Sequence, residues 1–207
     1  MKVIKQFKEL LSHYTNDPYR IARLLEEVMR SYREEGRYYH NLKHLESLLS
    51  SLEYVKDDIQ DWEAMLFAIV YHDVVYDSTS KENEEQSANL ALQRMEEIHV
   101  SKDTQQRCYR IIMATKKHTL SSVHDINLFT DADIAILGSG WIVYEGYAKA
   151  IRQEYAVVTD TDYREGRKKV LLHFLSMEHI YKTEYFQAMY ETKARENIQR
   201  EIELLST

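Results

Sequence analysis

The stretch YHNLKH, residues 39–44, sets His40 and His44 four positions apart, and VYHDVVYD, residues 70–77, carries the doublet His72-Asp73. A third stretch, DADIAILG at residues 131–138, adds Asp131 and Asp133. Neutral imidazole nitrogens and carboxylate oxygens together suit divalent ions of intermediate hardness, so Mn, Fe, Co, Ni, Zn and Mg are all admissible in a site built from them. Spacing alone does not select such a site. The chain holds 9 histidines, and a single helical histidine more often packs or faces solvent than binds an ion. Neighbours on a helix point about 100° apart, so on a helix His72 and Asp73 reach one ion only if it lies beside the axis, with a side chain closing from either flank.

Taken in order, YHNLKH, YHDVVYD and DADIAILG resemble the HD-domain superfamily of metal-dependent phosphohydrolases, whose pattern is a His, a His-Asp doublet and a distant Asp. RYYHN, YHDVVYD, NEEQSA and DADIAILG are similar to a small bacterial subfamily of it, over roughly residues 37–138. The resemblance implies an all-α HD-type helical bundle holding one divalent metal ion through His44, His72, Asp73 and Asp133. The activity it implies is hydrolysis of a phosphate ester of a nucleotide or other small metabolite. Asp133 fits the family's Ala-Asp-aliphatic ending better than Asp131, which stays as a reserve ligand, a supporting residue or a helix cap. His40 matches the position from which the YHN of cyclic-nucleotide phosphodiesterases supplies a proton to the leaving oxygen.

The chemistry gives each assignment a purpose. A divalent ion lowers the pKa of bound water and polarises a phosphoryl oxygen, and imidazole ordinarily titrates close to neutrality, which suits His40 to general-acid work. Asp77 lies four residues after Asp73, on the same face if the helix persists; it either orients the attacking water or caps the next helix. The related alarmone hydrolases carry HDxxED here, whereas this chain has Tyr76 in place of the glutamate, a departure from that substrate. Arg37, Lys117 and His118 are candidates for a substrate phosphate, with solvated surface cations as the alternative for the lysines Lys116 and Lys117. Asn83 and Glu84 either hydrogen-bond a ligand imidazole or cap their own helix. A two-iron oxygenase using His118 and His124, and a noncatalytic ligand sensor, are the competing readings.

The rest of the chain narrows the setting. With 207 residues, 1 proline and 5 glycines against 44% hydrophobic and 29% charged residues, few turns and long helices are expected in one domain. A net charge of −7 and a pI near 5.7 disfavour nucleic acid as the main partner. The longest apolar run, Ala64 to Tyr71, is far short of a bilayer span, and MKVIKQFKEL is not a signal peptide, so a cytoplasmic protein without membrane attachment is expected. The lone Cys108 excludes an intrachain disulfide and reads as a buried thiol. No P-loop, nucleophile elbow or HExxH motif occurs.

The elements that must carry these residues are helices. Asp17-Pro18 opens one that runs toward Gly36; Asn41 caps a second through LKHLESLLSSLEYV; Asp57 to Asp61 start a third, apolar nearly all round, through WEAMLFAIVYHDVVYD. SKENEEQSANLALQRMEEIHV and SKDTQQRCYRIIMATKKH are two more, the second ending on cations. HTLSSVHDINLF lacks helical periodicity and is expected to be a surface loop, followed by a short helix capped by Thr130 or Asp131 and stopped by Gly138. Three further helical segments complete the chain, the last amphipathic and long enough to serve a homodimer.

Overall fold

The computed structural model describes residues 1–206 and is all-helical, with ten α-helices and no strand among the described residues. They are α1 (Lys2–Tyr14), α2 (Pro18–Ser31), α3 (Leu42–Glu53), α4 (Trp62–Tyr71), α5 (Asn83–Glu97), α6 (Lys102–Ala114), α7 (His124–Asp133), α8 (Trp141–Glu154), α9 (Asp160–Ser176) and α10 (Glu184–Leu204). Single 3-10 turns occupy Lys56–Asp58 and Ala135–Gly138. None of the helices is long and apolar enough to cross a membrane. Two compact units are distinguished, Met1–Thr130 and Asp131–Thr207, and the division falls inside the continuous helix α7. No linker rich in Pro, Gly or Ser announces it in the sequence.

In the first unit the caps act where the sequence places them. The Asp17 carboxylate accepts from the N–H groups of Tyr19 and Arg20 with Pro18 at the first helical position, Asn41 accepts from Lys43, and Asp61 accepts from Ala64. α4 is central: every residue from Ala64 to Tyr71 is buried, and Phe7 of α1 packs edge-on against both Phe67 and Tyr71. α6 lies against α4 and α5. Cys108 of α6 is fully buried, as expected.

Three boundaries differ from expectation. α2 stops at Ser31, and the chain then turns through Gly36, whose φ of +94° is a left-handed conformation that glycine adopts without strain. α4 stops at Tyr71, so His72 and Asp73 stand on the turn beyond it and Asp77 is not helical at all. α7 begins at His124, inside the stretch expected to be a loop, and this puts Asp131 in its last turn instead of at a helix start. The reason is buried polarity. Asp125, Asn127, Thr130 and Asp131 are buried alongside Ile126, Leu128, Phe129 and Ala132, so polar and apolar residues share the buried surface of α7 and no one-sided apolar period can be read. Backbone groups satisfy two of the polar side chains: Asp125 accepts from the backbone N–H groups of Gln60 and Asp61 at 3.0 Å each, and Asn127 exchanges two 2.8 Å bonds with the Ser121 backbone.

The second unit centres on the last helix. Glu201 of α10 accepts from Arg167 of α9 at 2.8 and 3.0 Å and from the Tyr144 hydroxyl of α8 at 2.5 Å, a buried network joining three helices. Gly138 is required by close approach: a Cβ there would lie 2.5 Å from the Tyr190 Cβ and 2.7 Å from its carbonyl oxygen. Asn197 Nδ2 completes the turn by donating to the carbonyls of Leu137 and Ser139.

Burial pushes the Cys108 thiol well above its ordinary range, so the nucleophilic thiolate is absent near neutral pH. Native protein should therefore resist a thiol-specific reagent at pH 8 and label one equivalent in denaturant; rapid labelling of the folded protein would contradict the packing of α6.

Candidate metal centre

The site is assembled from helix ends. His44 lies in the first turn of α3, fixed by the Asn41 cap, and is buried. His72 follows the last residue of α4, 1% exposed, with its N–H donating to Ala68 O at 2.9 Å. Its Nδ1 lies 3.1 Å from Ile69 O, a contact only an Nδ1–H can make, which leaves the lone pair on Nε2. That Nε2 stands 3.0 Å from the Nε2 of His44.

Asp73 completes the junction. Its Oδ2 is 3.0 Å from His72 Nε2 and 3.8 Å from His44 Nε2. The two residues are consecutive, at the point where α4 gives way to a turn.

The third segment is α7. Phe129 packs edge-on against the His72 ring at 5.5 Å, and Asp133 is one turn further along the same face of the same helix. His44, His72 and Asp133 each offer one ligand atom, all within 4.8 Å of one another, a group able to hold a metal ion. The fit is good: two imidazole nitrogens bound at 2.0–2.1 Å stand about 2.9 Å apart at a right angle and about 3.4 Å apart at a tetrahedral one, and the observed separation is 3.0 Å.

His40 reaches the rim. Its Nε2 is 4.0 Å from Asp73 Oδ2, its ring stacks on Tyr76 at 4.3 Å, and Tyr39 meets it edge-on at 5.0 Å. A fifth of its side chain remains exposed, unlike the buried rings of His44 and His72.

Other expected site residues have different occupations. The Arg37 guanidinium is buried and bonded to the carbonyls of Asp73 and Val74, so it is not presented to a phosphate. Asp77 is exposed, and its Oδ1 accepts from the N–H and hydroxyl of Thr79, bonds that hold the carboxyl below its usual range and organise the loop. Asn83 bonds the Asp77 backbone in both directions, at 3.1 and 2.8 Å, clamping that loop to the start of α5; its amide is not directed at an imidazole. Glu84 is half-buried in the first turn of α5, where a negative charge favours the helix dipole, and makes no side-chain hydrogen bond or ion pair among the described residues.

Beyond α6, Lys117 is exposed and makes none either, while Lys116 donates to Lys81 O at 2.9 Å. His118 is half-buried with a left-handed φ of 50°, its N–H closing the helix on Ala114 O. His124 opens α7 with an exposed side chain, which gives a second metal position no support.

Asp131 does not cap the helix expected of it; it anchors the segment ahead of α10. Fully buried, its carboxylate accepts from the N–H groups of Lys182 and Thr183 and from the Thr183 hydroxyl, at 2.8 to 2.9 Å, immediately before α10. The Lys182 ammonium lies 3.3 Å away, itself buried. Burial pushes the Asp131 carboxyl up and the Lys182 ammonium down, with their attraction and the hydrogen bonds opposing both shifts. Asp125 and Tyr32, which the sequence reading overlooked, hold the two ends of α4, at the backbone N–H groups of Gln60 and Asp61 and at the Asp73 N–H. Nothing in a single sequence distinguishes them from other polar and aromatic residues.

No protein-family model, no curated protein and no solved structure matches the chain.

Asp131→Ala should cost about 3–5 kcal/mol in denaturant unfolding, because it strands a buried ammonium and orphans the N–H groups ahead of α10. A loss below about 1 kcal/mol, the range of an exposed pair, would contradict the anchoring role. Asp77→Ala should leave metal affinity unchanged in a calorimetric titration; a large loss would return Asp77 to the site.

Proposed function

We propose that the chain is a metal-dependent phosphohydrolase of the HD type, acting on a phosphate ester of a nucleotide or another small metabolite in the cytoplasm. The observation that carries this reading is the meeting of His44, His72 and Asp133, drawn from three separate segments, with Asp73 Oδ2 beside both imidazoles. The order His, His-Asp, Asp is that of the superfamily the sequence resembles. His44, His72, Asp73 and Asp133 would hold the single divalent ion, two nitrogens and two carboxylates giving a mixed donor set. Such an ion supplies an activated water and draws charge from the phosphoryl group.

The chain's own residues do the rest. The Ile69 carbonyl holds the His72 ring in the tautomer that presents Nε2, and the Phe129 ring packs against its side. His40, at the partly exposed rim and 4.0 Å from Asp73 Oδ2, would hand a proton to the leaving oxygen. Tyr76, stacked on His40, fixes the plane of that ring. The net charge of −7 favours a small substrate that the ion itself attracts over a polyanion held by a basic surface.

Metal analysis of protein purified without added metal, followed by a screen of phosphate esters with each candidate ion, tests the reading. One ion per chain and turnover of at least one ester are expected. His72→Ala and Asp133→Ala should lose ion and turnover together, whereas His40→Ala should keep the ion and slow turnover by about 10²–10⁴-fold. Full metal retention in His72→Ala, or no ester hydrolysed by the metal-loaded protein, would overturn it.

A further inference from the structure

The Asp73 peptide is gripped from both sides. Its N–H donates to the Tyr32 hydroxyl at 3.2 Å, its carbonyl accepts from Arg37 Nη1 at 2.6 Å, and Arg37 Nη2 takes the next carbonyl, Val74, at 3.0 Å. Both gripping side chains are buried, Tyr32 at 1% and the Arg37 side chain at 3% exposure. The guanidinium carbon lies 5.2 Å from the centre of the Tyr32 ring and 5.5 Å from that of Tyr76, so its position is set by two rings as well as by its hydrogen bonds. Nη1 also approaches the His40 carbonyl, at 3.5 Å.

We infer that Arg37 and Tyr32 are positioning residues that aim the Asp73 carboxylate at the imidazole pair. This rests on the reading of Asp73 as a metal ligand. Beyond His72 the helical ladder of α4 has ended, and across the turn that carries Asp73 a single backbone bond remains, from Val74 N–H to Tyr71 O at 3.2 Å. Such a segment opens easily, and a carboxylate on it would swing. A planar fork bonded to two successive carbonyls, with a hydroxyl accepting from the N–H of the same residue, fixes the position and tilt of the peptide. Lysine carries its three donors on a single freely rotating nitrogen and cannot set the plane of two successive carbonyls. The arrangement explains why a guanidinium is buried here despite its desolvation cost.

The alternative is that the two residues merely stabilise the end of α4. A double-mutant cycle separates these roles, because a residue that acts through Asp73 loses its effect on the metal once the Asp73 carboxylate is gone. The full-length chain would be titrated with Co²⁺, by calorimetry and by visible absorption, as wild type, Tyr32→Phe, Arg37→Lys, Asp73→Ala and the two doubles carrying Asp73→Ala. Circular dichroism would verify the fold, and Tyr32→Phe keeps the buried ring, so the test survives if Arg37→Lys does not fold. Each clamp variant alone should weaken Co²⁺ binding by about 10–100-fold and change the absorption band; in the Asp73→Ala background the further loss should stay within about twofold. An equal loss in both backgrounds, or no loss in either clamp variant while Asp73→Ala weakens binding, overturns the positioning role. If Asp73→Ala itself leaves Co²⁺ affinity unchanged, the ligand reading of Asp73 fails and the inference falls with it.

Discussion

Two imidazole nitrogens held 3.0 Å apart in a buried setting, with carboxylates of two acids beside them, are the constraint around which the first unit is arranged. The contact is met when one ring carries its proton on Nε2 and donates it to the other, or when both lone pairs are directed at a bound cation. The backbone contact of His72 Nδ1 with Ile69 selects the ring orientation before any ion arrives. What the fold supplies is a set of helix ends aimed at one point: the start of α3, the end of α4 and the last turn of α7.

The termination of α4 at Tyr71 is as consequential as its apolar character. α4 gives way to a turn just where the Asp73 carboxylate comes to 3.0 Å from the ring of its own neighbour, and the chain leaves the helix axis before residue 77. A turn is a soft place for a carboxylate that must keep its aim. The buried fork of Arg37 and the hydroxyl of Tyr32 restore to the Asp73 peptide the fixity that the helix would have provided, and the same guanidinium lies beneath the ring stacked on His40.

Much of this was legible in the residues and some was not. The all-helical class followed from few glycines, one proline and long apolar periods, and the caps at Asp17 and Asn41 could be named because a short polar side chain before an apolar run has few other uses, whereas for α4 the residues narrowed the start only to Asp57 to Asp61. α7 was hidden because it is buried nearly all round, with Asp125, Asn127, Thr130 and Asp131 interleaved among Ile126, Leu128, Phe129 and Ala132, and hydrophobic periodicity needs a one-sided apolar stripe. Grouping His44, His72 and Asp133 came from their order along the chain; that they meet is a property of the fold. Arg37 shows the opposite limit: a cation beside a histidine motif is equally consistent with holding a phosphate and with holding a carbonyl, and only its neighbours distinguish the two.

X-ray absorption at the metal edge of the loaded protein addresses the central geometry most directly, because it reports ligand type and distance without reference to any activity. Zinc-loaded protein should show two imidazoles at about 2.0–2.1 Å and additional oxygen donors at about 2.0–2.2 Å. A shell of oxygens alone, with no imidazole scattering, would contradict the meeting of His44 and His72 around a common ion.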